Sequence, residues 1–148
     1  MQITTPCQIL IMSDHKHMNL LSLFSGCGGM DIGFEGDFVC LKKSINTNLH
    51  PEWIKKDLGD WVLVTPTIFN TVFANDIRPS AKAAWVSYFS KKKGNANDIY
   101  HLESIVNLAK RAKMGEAIFP ADIDIVTGGF PCQDFSIAGK RLEIGRAL

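Results

Sequence analysis

Between Met18 and Phe24 the chain reads Met-Asn-Leu-Leu-Ser-Leu-Phe, a short and nearly continuous apolar run. Such a run predicts a strand buried in a parallel sheet. It breaks into Ser25-Gly26-Cys27-Gly28-Gly29 and resumes as Met30-Asp31-Ile32-Gly33-Phe34, which reads as a glycine turn and a helix start. Thr71 to Ala74 predicts a second strand, with Asn75-Asp76-Ile77 at its end. Arg78-Pro79 then opens a helix, proline being favoured in the first turn. Ala81, Ala84, Trp85 and Tyr88 or Phe89 give that helix an apolar stripe, most simply core against the sheet. After the basic loop from Ser90 to Asn97, Asn97-Asp98-Ile99 precedes a helix containing Leu102, Ile105, Val106, Ala109 and Ala112. Lys110, Arg111 and Lys113 suit its C-terminal end. Ala121 to Val126, β-branched and bounded by acids, predicts a further strand.

Strands alternating with helices predict an α/β fold with a parallel sheet. One stretch interrupts the alternation. Residues from about 37 to 70 hold Trp53, Trp61, two lysine pairs, Pro51 and Pro66, far more chain than a helix-to-strand connection needs. This is expected to be a surface insertion, with Leu58 to Val64 as a hairpin arm. It is either decoration or an arm facing DNA or a cofactor. Residues 1–17 carry no helical or strand period that continues into the first strand. They are expected to form an N-terminal arm, with residues 18–148 as the domain proper.

Composition narrows the class only modestly. A chain of 148 residues, 46% hydrophobic and 21% charged, suits one soluble domain. A formal charge of +1 gives no global attraction to nucleic acid, though a local basic face would suffice. The four cysteines, Cys7, Cys27, Cys40 and Cys132, are widely spaced. They read as reduced thiols, with no metal site and no disulfide frame. No apolar run approaches the ~20 residues that span a bilayer. The expected compartment is the cytoplasm, with no membrane partner.

Candidate chemistry gathers at the strand ends, where open α/β sheets bind ligands. Glycines at 26, 28 and 29 let backbone approach a ligand closely, and the helix start favours a polar or anionic one. Asp76 stands where ribose hydroxyls are gripped in nucleotide sites. It lies 47 residues past Gly29, a spacing stretched by the insertion. After the last strand, Thr127-Gly128-Gly129-Phe130-Pro131-Cys132-Gln133 holds one thiol beside a rigid proline. A lone cysteine is more often a small buried hydrophobe, but this one is placed where chemistry is expected.

Three stretches together resemble the C5-cytosine DNA methyltransferases. Phe24-Ser25-Gly26-Cys27-Gly28-Gly29 resembles the family's cofactor turn, and Asn75-Asp76 its acidic pair. Gly129-Phe130-Pro131-Cys132-Gln133, continued by Phe135-Ser136, Ala138, Gly139 and Lys140, resembles its catalytic motif almost letter for letter. The resemblance implies the N-terminal half of the sheet of a Rossmann-like S-adenosylmethionine-dependent methyltransferase fold. It implies that Phe24, Gly26, Cys27, Gly29 and Met30 line S-adenosylmethionine, which leaves as S-adenosylhomocysteine. Asp76 would hold its ribose with Ile77 against the adenine, Asp98 and Ile99 would meet the other side of the adenine, and Gly129 and Pro131 would close the site. Cys132 would attack C6 of a cytosine flipped out of duplex DNA, with Gln133, Ser136 and Lys140 on the DNA backbone.

The same resemblance shows which parts are missing. The segment from Arg141 to Leu148 departs from the family's acidic-Arg-Gly element. Its Glu-Asn-Val and Gln-Arg-Arg motifs and target-recognition domain are absent. An apolar strand at Ile123–Val126 would keep an unpaired edge, which invites pairing. The chain is therefore expected to need a complementary piece, either the rest of one polypeptide or a separate subunit. Restriction-modification in a prokaryote is the expected setting. An RNA cytosine methyltransferase and a non-catalytic S-adenosylmethionine-binding module are the alternatives. An NAD-type dehydrogenase fits less well, since the turn lacks the full G-x-G-x-x-G pattern.

Overall fold

The computed structural model describes residues 17–129. The first apolar run is β1 (Met18–Leu23), and the glycine turn leads into α1 (Gly29–Glu35). The second strand is longer than its apolar core, β5 (Phe69–Asp76), and carries Asp76 as its last residue. Helix α2 (Pro79–Phe89) starts on its proline, and α4 (Ile105–Lys113) ends in three basic residues. Gly115, at φ 93, follows the helix in the left-handed conformation that glycine tolerates at helix ends.

Two expected elements are corrected. Leu102 belongs to a strand rather than a helix: α3 (Ala96–Ile99) is one short turn, and β6 (Tyr100–Leu102) follows it directly. Three residues carry no readable period, and β6 exists because Tyr100, His101 and Leu102 pair in parallel with Ala74, Asn75 and Asp76. The last strand, β7, spans Ile125–Gly128 and does not begin near Ala121. The acids ahead of it tie to β1 through polar contacts instead: Asn19 N–H donates to Asp124 Oδ2 at 2.8 Å and Asn19 Nδ2 donates to the Asp122 carbonyl at 2.8 Å.

The four parallel strands lie in the order β6-β5-β1-β7. The chain moves outward from β1 to β5 and β6, then returns to the other side of β1. That reversal is a topological switch point, and its crevice opens at the carboxyl ends of β1 and β7. One face of the sheet packs Ala74 and Tyr100 under Trp85, Phe89, Ala96 and Ile99. The other packs Leu21 and Phe73 under Leu108, with Ile105, Ile118, Phe119 and Ile123 alongside. The sheet is covered on both sides, as the period-2 alternation of strand side chains requires. Ala84 is exposed and lies off the α2 stripe, which Trp85 and Phe89 carry.

Edge strand β7 pairs with β1 alone among the described residues, and Val126 on it is 62% exposed. No described helix is long and apolar enough to cross a membrane.

The insertion forms its own antiparallel sheet in the order β2-β4-β3, from β2 (Val39–Leu41), β3 (Ile54–Leu58) and β4 (Trp61–Val64). The expected hairpin is its β3–β4 half, turning at Gly59 with φ 83. It leaves the body at Gly36 (φ 68, ψ −152), where a Cβ would lie 2.3 Å from the Thr65 carbonyl oxygen. Thr67 N–H then donates to the Glu35 carbonyl at 3.0 Å. These anchors join the end of α1 to the start of β5, so the insertion sits at the amino end of the parallel strands. An arm covering the switch-point crevice is the alternative this position disfavours.

Candidate functional site

At the carboxyl end of β1 the chain enters left-handed backbone three times, at Phe24 (φ 53), Gly26 (φ 54) and Gly28 (φ 89). Gly28 has no room for a side chain, since a Cβ there would stand 2.6 Å from Trp85 Cδ1 and 3.1 Å from Phe89. Close approach of the turn to the α2 aromatics therefore demands this glycine. At Gly26 and Gly29 a Cβ would meet nothing within 4 Å. Cys27 carries a free, exposed thiol, and Met30 is 48% exposed. One side of the turn is thus locked to the core while the other presents open backbone.

The tip of β5 holds the turn from the side. Ser25 N–H donates to the Asn75 carbonyl at 2.8 Å, and Asn75 N–H returns a bond to Ser25 Oγ at 3.1 Å. Asp76 Oδ2 accepts from Gly26 N–H at 3.1 Å and Oδ1 from Arg78 N–H at 3.0 Å. Each carboxylate oxygen can accept more than one hydrogen bond, so Asp76 keeps capacity for a ligand hydroxyl. The Gly26 carbonyl accepts from the Tyr100 hydroxyl at 2.9 Å. Burial, with the charges of Asp76 and Asp31 behind it, pushes the Tyr100 phenol far up, so it remains a neutral donor.

Beneath the turn lies a polar cluster. Asp31, 0% exposed, accepts from Ser22 Oγ at 2.5 Å and from Trp85 Nε1 at 2.7 Å. Burial raises its carboxyl above the usual carboxylate range, and the two hydrogen bonds offset that only in part. Sequence reasoning treats Trp85 as core and passes over Ser22 and Asp31. A serine inside the apolar run of β1 is the available signal.

The structure brings Phe24, Gly26, Cys27, Gly29 and Asp76 together at the carboxyl ends of β1 and β5, with Met30 on the first turn of α1 behind them. Ile77 is 67% exposed directly after Asp76. Gly129 joins them from β7, donating to the Leu23 carbonyl at 3.3 Å, with its Cβ position 3.7 Å from the Phe24 carbonyl oxygen. Asp98 and Ile99 do not join. They lie on α3 at the amino end of β6, and Ile99 is packed in the core beside Trp85 and Tyr100. The β6 residue level with Asp76 is Leu102, 42% exposed, some 10 Å further along the strand. Pro131, Cys132, Gln133, Ser136 and Lys140 lie outside the described residues.

A half-buried carboxylate beside an exposed isoleucine offers a hydroxyl acceptor next to an apolar surface, and open glycine backbone continues from it. That set suits a ligand with a hydroxyl-bearing part and an apolar part, such as a nucleoside. Among the described residues no group of three His, Cys, Asp or Glu side chains is placed to hold a metal ion.

Comparison with known proteins matches residues 18–147 to the model of the family described as C-5 cytosine-specific DNA methylase. Type II methyltransferase M.BspRI of Lysinibacillus sphaericus is 35% identical over 125 residues, covering 84% of this chain and 26% of the relative. Type II methyltransferase M.BsuRI of Bacillus subtilis is 34% identical over 125 residues, covering 84% and 25%. Type II methyltransferase M.AquIA of a Picosynechococcus strain is 31% identical over 123 residues, covering 83% and 36%. The chain spans about a quarter of the length of the first two.

Proposed function

The chain belongs to the C-5 cytosine-specific DNA methylase family, and from that premise we propose that it supplies the cofactor turn and nucleophile for methylating cytosine in double-stranded DNA. The observation that carries this reading is the position of Gly129. It is bonded to the end of β1 beside the turn, and three residues later, within about 10 Å of chain, comes Cys132.

S-adenosylmethionine supplies an electrophilic methyl group when bound. Asp76 would take its ribose hydroxyls, Ile77 the adenine, and the backbone at Cys27 and Gly29 its amino-acid end, with Gly26, Met30 and Phe24 alongside. Leu102 is the better placed β6 residue for the far side of the adenine than Asp98 or Ile99. The Cys132 thiolate would add to C6 of the cytosine, turning C5 into an enamine-like nucleophile. C5 would then take the methyl group as S-adenosylhomocysteine leaves, and loss of the C5 proton to a base with expulsion of the Cys132 thiolate would restore the ring. The reaction needs the base out of the stack and a thiol already ionised. Gln133, Ser136 and Lys140 would contact the DNA backbone, and Pro131 would close the site.

Coverage of a quarter of the relatives, and a β7 edge unpaired among the described residues, support a complementary piece, the remainder of the polypeptide or a second subunit, seated against that edge. It would bring the base-reading region.

The test is transfer of a labelled methyl group from S-adenosylmethionine to duplex DNA by the whole protein, this chain together with its complementary piece, and by its Cys132→Ser variant. The expected result is transfer by the natural protein and loss of at least ~1,000-fold in the variant, the size of effect seen when a nucleophile is removed. Transfer that persists in the variant would remove Cys132 from its role. Binding without any transfer by the natural protein would favour the non-catalytic module, and transfer to RNA alone the RNA methyltransferase.

A further inference from the structure

The polar cluster under the turn has a direction. Asn75 N–H donates to Ser25 Oγ at 3.1 Å, Ser25 Oγ donates to Ser22 Oγ at 2.9 Å, and Ser22 Oγ donates to Asp31 Oδ1 at 2.5 Å. Trp85 Nε1 closes the other side on Asp31 Oδ2 at 2.7 Å. A hydroxyl has one proton to give. Because Ser22 gives its proton to Asp31, its oxygen is left to accept, and the Ser25 hydroxyl, 2.9 Å from both Ser22 Oγ and the Ser22 carbonyl, can give its proton to either while accepting from Asn75 N–H. An acceptor-only group closes one end of the chain, as the donor-only Asn75 N–H closes the other. Asp31 is that group, and the relay ties the first turn of α1 to the cofactor turn at Ser25 and to the tip of β5 next to Asp76.

A buried carboxylate with no cation bonded to it is a costly way to hold a core together; apolar residues of like volume do it as well or better. Burial holds its carboxyl high, so ionisation works against stability here. Departures of this kind from an apolar core are expected at functional or strained sites. Nothing places Asp31 itself at a ligand, since it is fully buried under Gly28 and Trp85.

We infer that Asp31 is a positioning residue for the methyl-donor site, acting through Ser22 and Ser25 to set the turn that receives the cofactor. The inference rests on the function proposed above. Replacing Asp31 by Asn keeps the volume and an acceptor for Trp85 Nε1, but turns an NH2 toward Ser22. Ser22 must then accept there and turn its own proton toward Ser25 Oγ, so the Ser22–Ser25 link reverses and the Ser25 proton is left to the Ser22 carbonyl alone.

The experiment measures binding of S-adenosylhomocysteine by calorimetry, together with KM and kcat for methyl transfer, in the full chain and in Asp31→Asn and Ser22→Ala. The expected outcome is a Kd about tenfold weaker for Asp31→Asn, the scale of one lost hydrogen bond to a charged group, with a smaller loss in Ser22→Ala. KM for the methyl donor should rise by more than kcat falls. A merely structural role would instead shrink the folded fraction, lowering kcat at unchanged KM, and that pattern would overturn the inference. Equal affinity of the folded Asp31→Asn protein would also overturn it. Should that variant fail to fold, Ser22→Ala decides in the same way, with unchanged affinity counting against the relay. No binding by the natural protein would bring down the function reading itself, which is distinguishable because all variants would then behave alike.

Discussion

The two sheets of this molecule hold together by opposite means. At the carboxyl end of the parallel sheet a run of buried polar groups is joined partner to partner, from Trp85 through Asp31, Ser22 and Ser25 to Asn75. In the insertion, across residues 37–68, Val62 is the sole buried side chain. Its charges pair at the surface instead: Lys42 with Asp57 at 2.5 Å and Lys55 with Asp37 at 3.2 Å. His50 stacks on Trp53 with ring centroids 4.0 Å apart, also outside the core. Between the insertion and α1 an apolar groove of about 640 Å³ stays open, lined by Phe38, Cys40, Trp53 and Val64 among others. Buried hydrogen bonds admit few alternative geometries, whereas exposed ion pairs admit many and contribute little. A crevice that must hold a ligand in one orientation is built from the first kind, and the insertion is not.

Three substitutions would sharpen or break that contrast. Phe73 is buried in the parallel sheet, stacked on His101 at 4.3 Å and near Phe119 at 5.3 Å. Phe73→Ala should cost about 3–5 kcal/mol in denaturant unfolding, the range for emptying a buried aromatic site. Val62→Ala should cost about 2 kcal/mol, its lost methyl groups plus a small cavity. Hydrogen exchange should show that loss concentrated in β3 and β4. Were it spread equally through β1 and β5, the two sheets would be one cooperative unit and the contrast would fail.

The smallest effect belongs to the exposed pair of Lys42 and Asp57. The hydrogen bond from Lys42, then the one from Gly59 N–H, lowers the Asp57 carboxyl below its usual value. A folded value below the unfolded one adds stability at neutral pH and loses it as pH falls through the folded value. Asp57→Asn should therefore melt slightly below the natural protein at neutral pH in low salt. The difference should vanish in acid, once Asp57 is protonated, and in high salt. A difference that survived both would show an interaction stronger than a screened surface pair.

Legibility from sequence tracked the range of the interactions. The strand, turn and helix from Met18 to Phe34 were readable because apolar runs and glycines act within a few residues of themselves. Asp76 at a strand tip was readable for the same reason. Strand β6 was not, since three residues show no period and pairing with Ala74 to Asp76 alone makes them a strand. The same strand bears on the site: Asp98 and Ile99, expected at the adenine, stand at the end of β6 away from Asp76. The relay under the turn was equally hidden, because Asp31 and Trp85 are 54 residues apart.

By itself, then, the sequence determined the succession of strands and helices, the need for an insertion, and the order in which turn, acid and thiol occur along the chain. These depend on local backbone preference and on residue chemistry. The tertiary structure alone decided that the insertion lies away from the crevice, that β7 returns beside β1, and that a buried acid terminates a chain of hydrogen bonds under the turn. Packing brings those residues together across distances that no local preference spans.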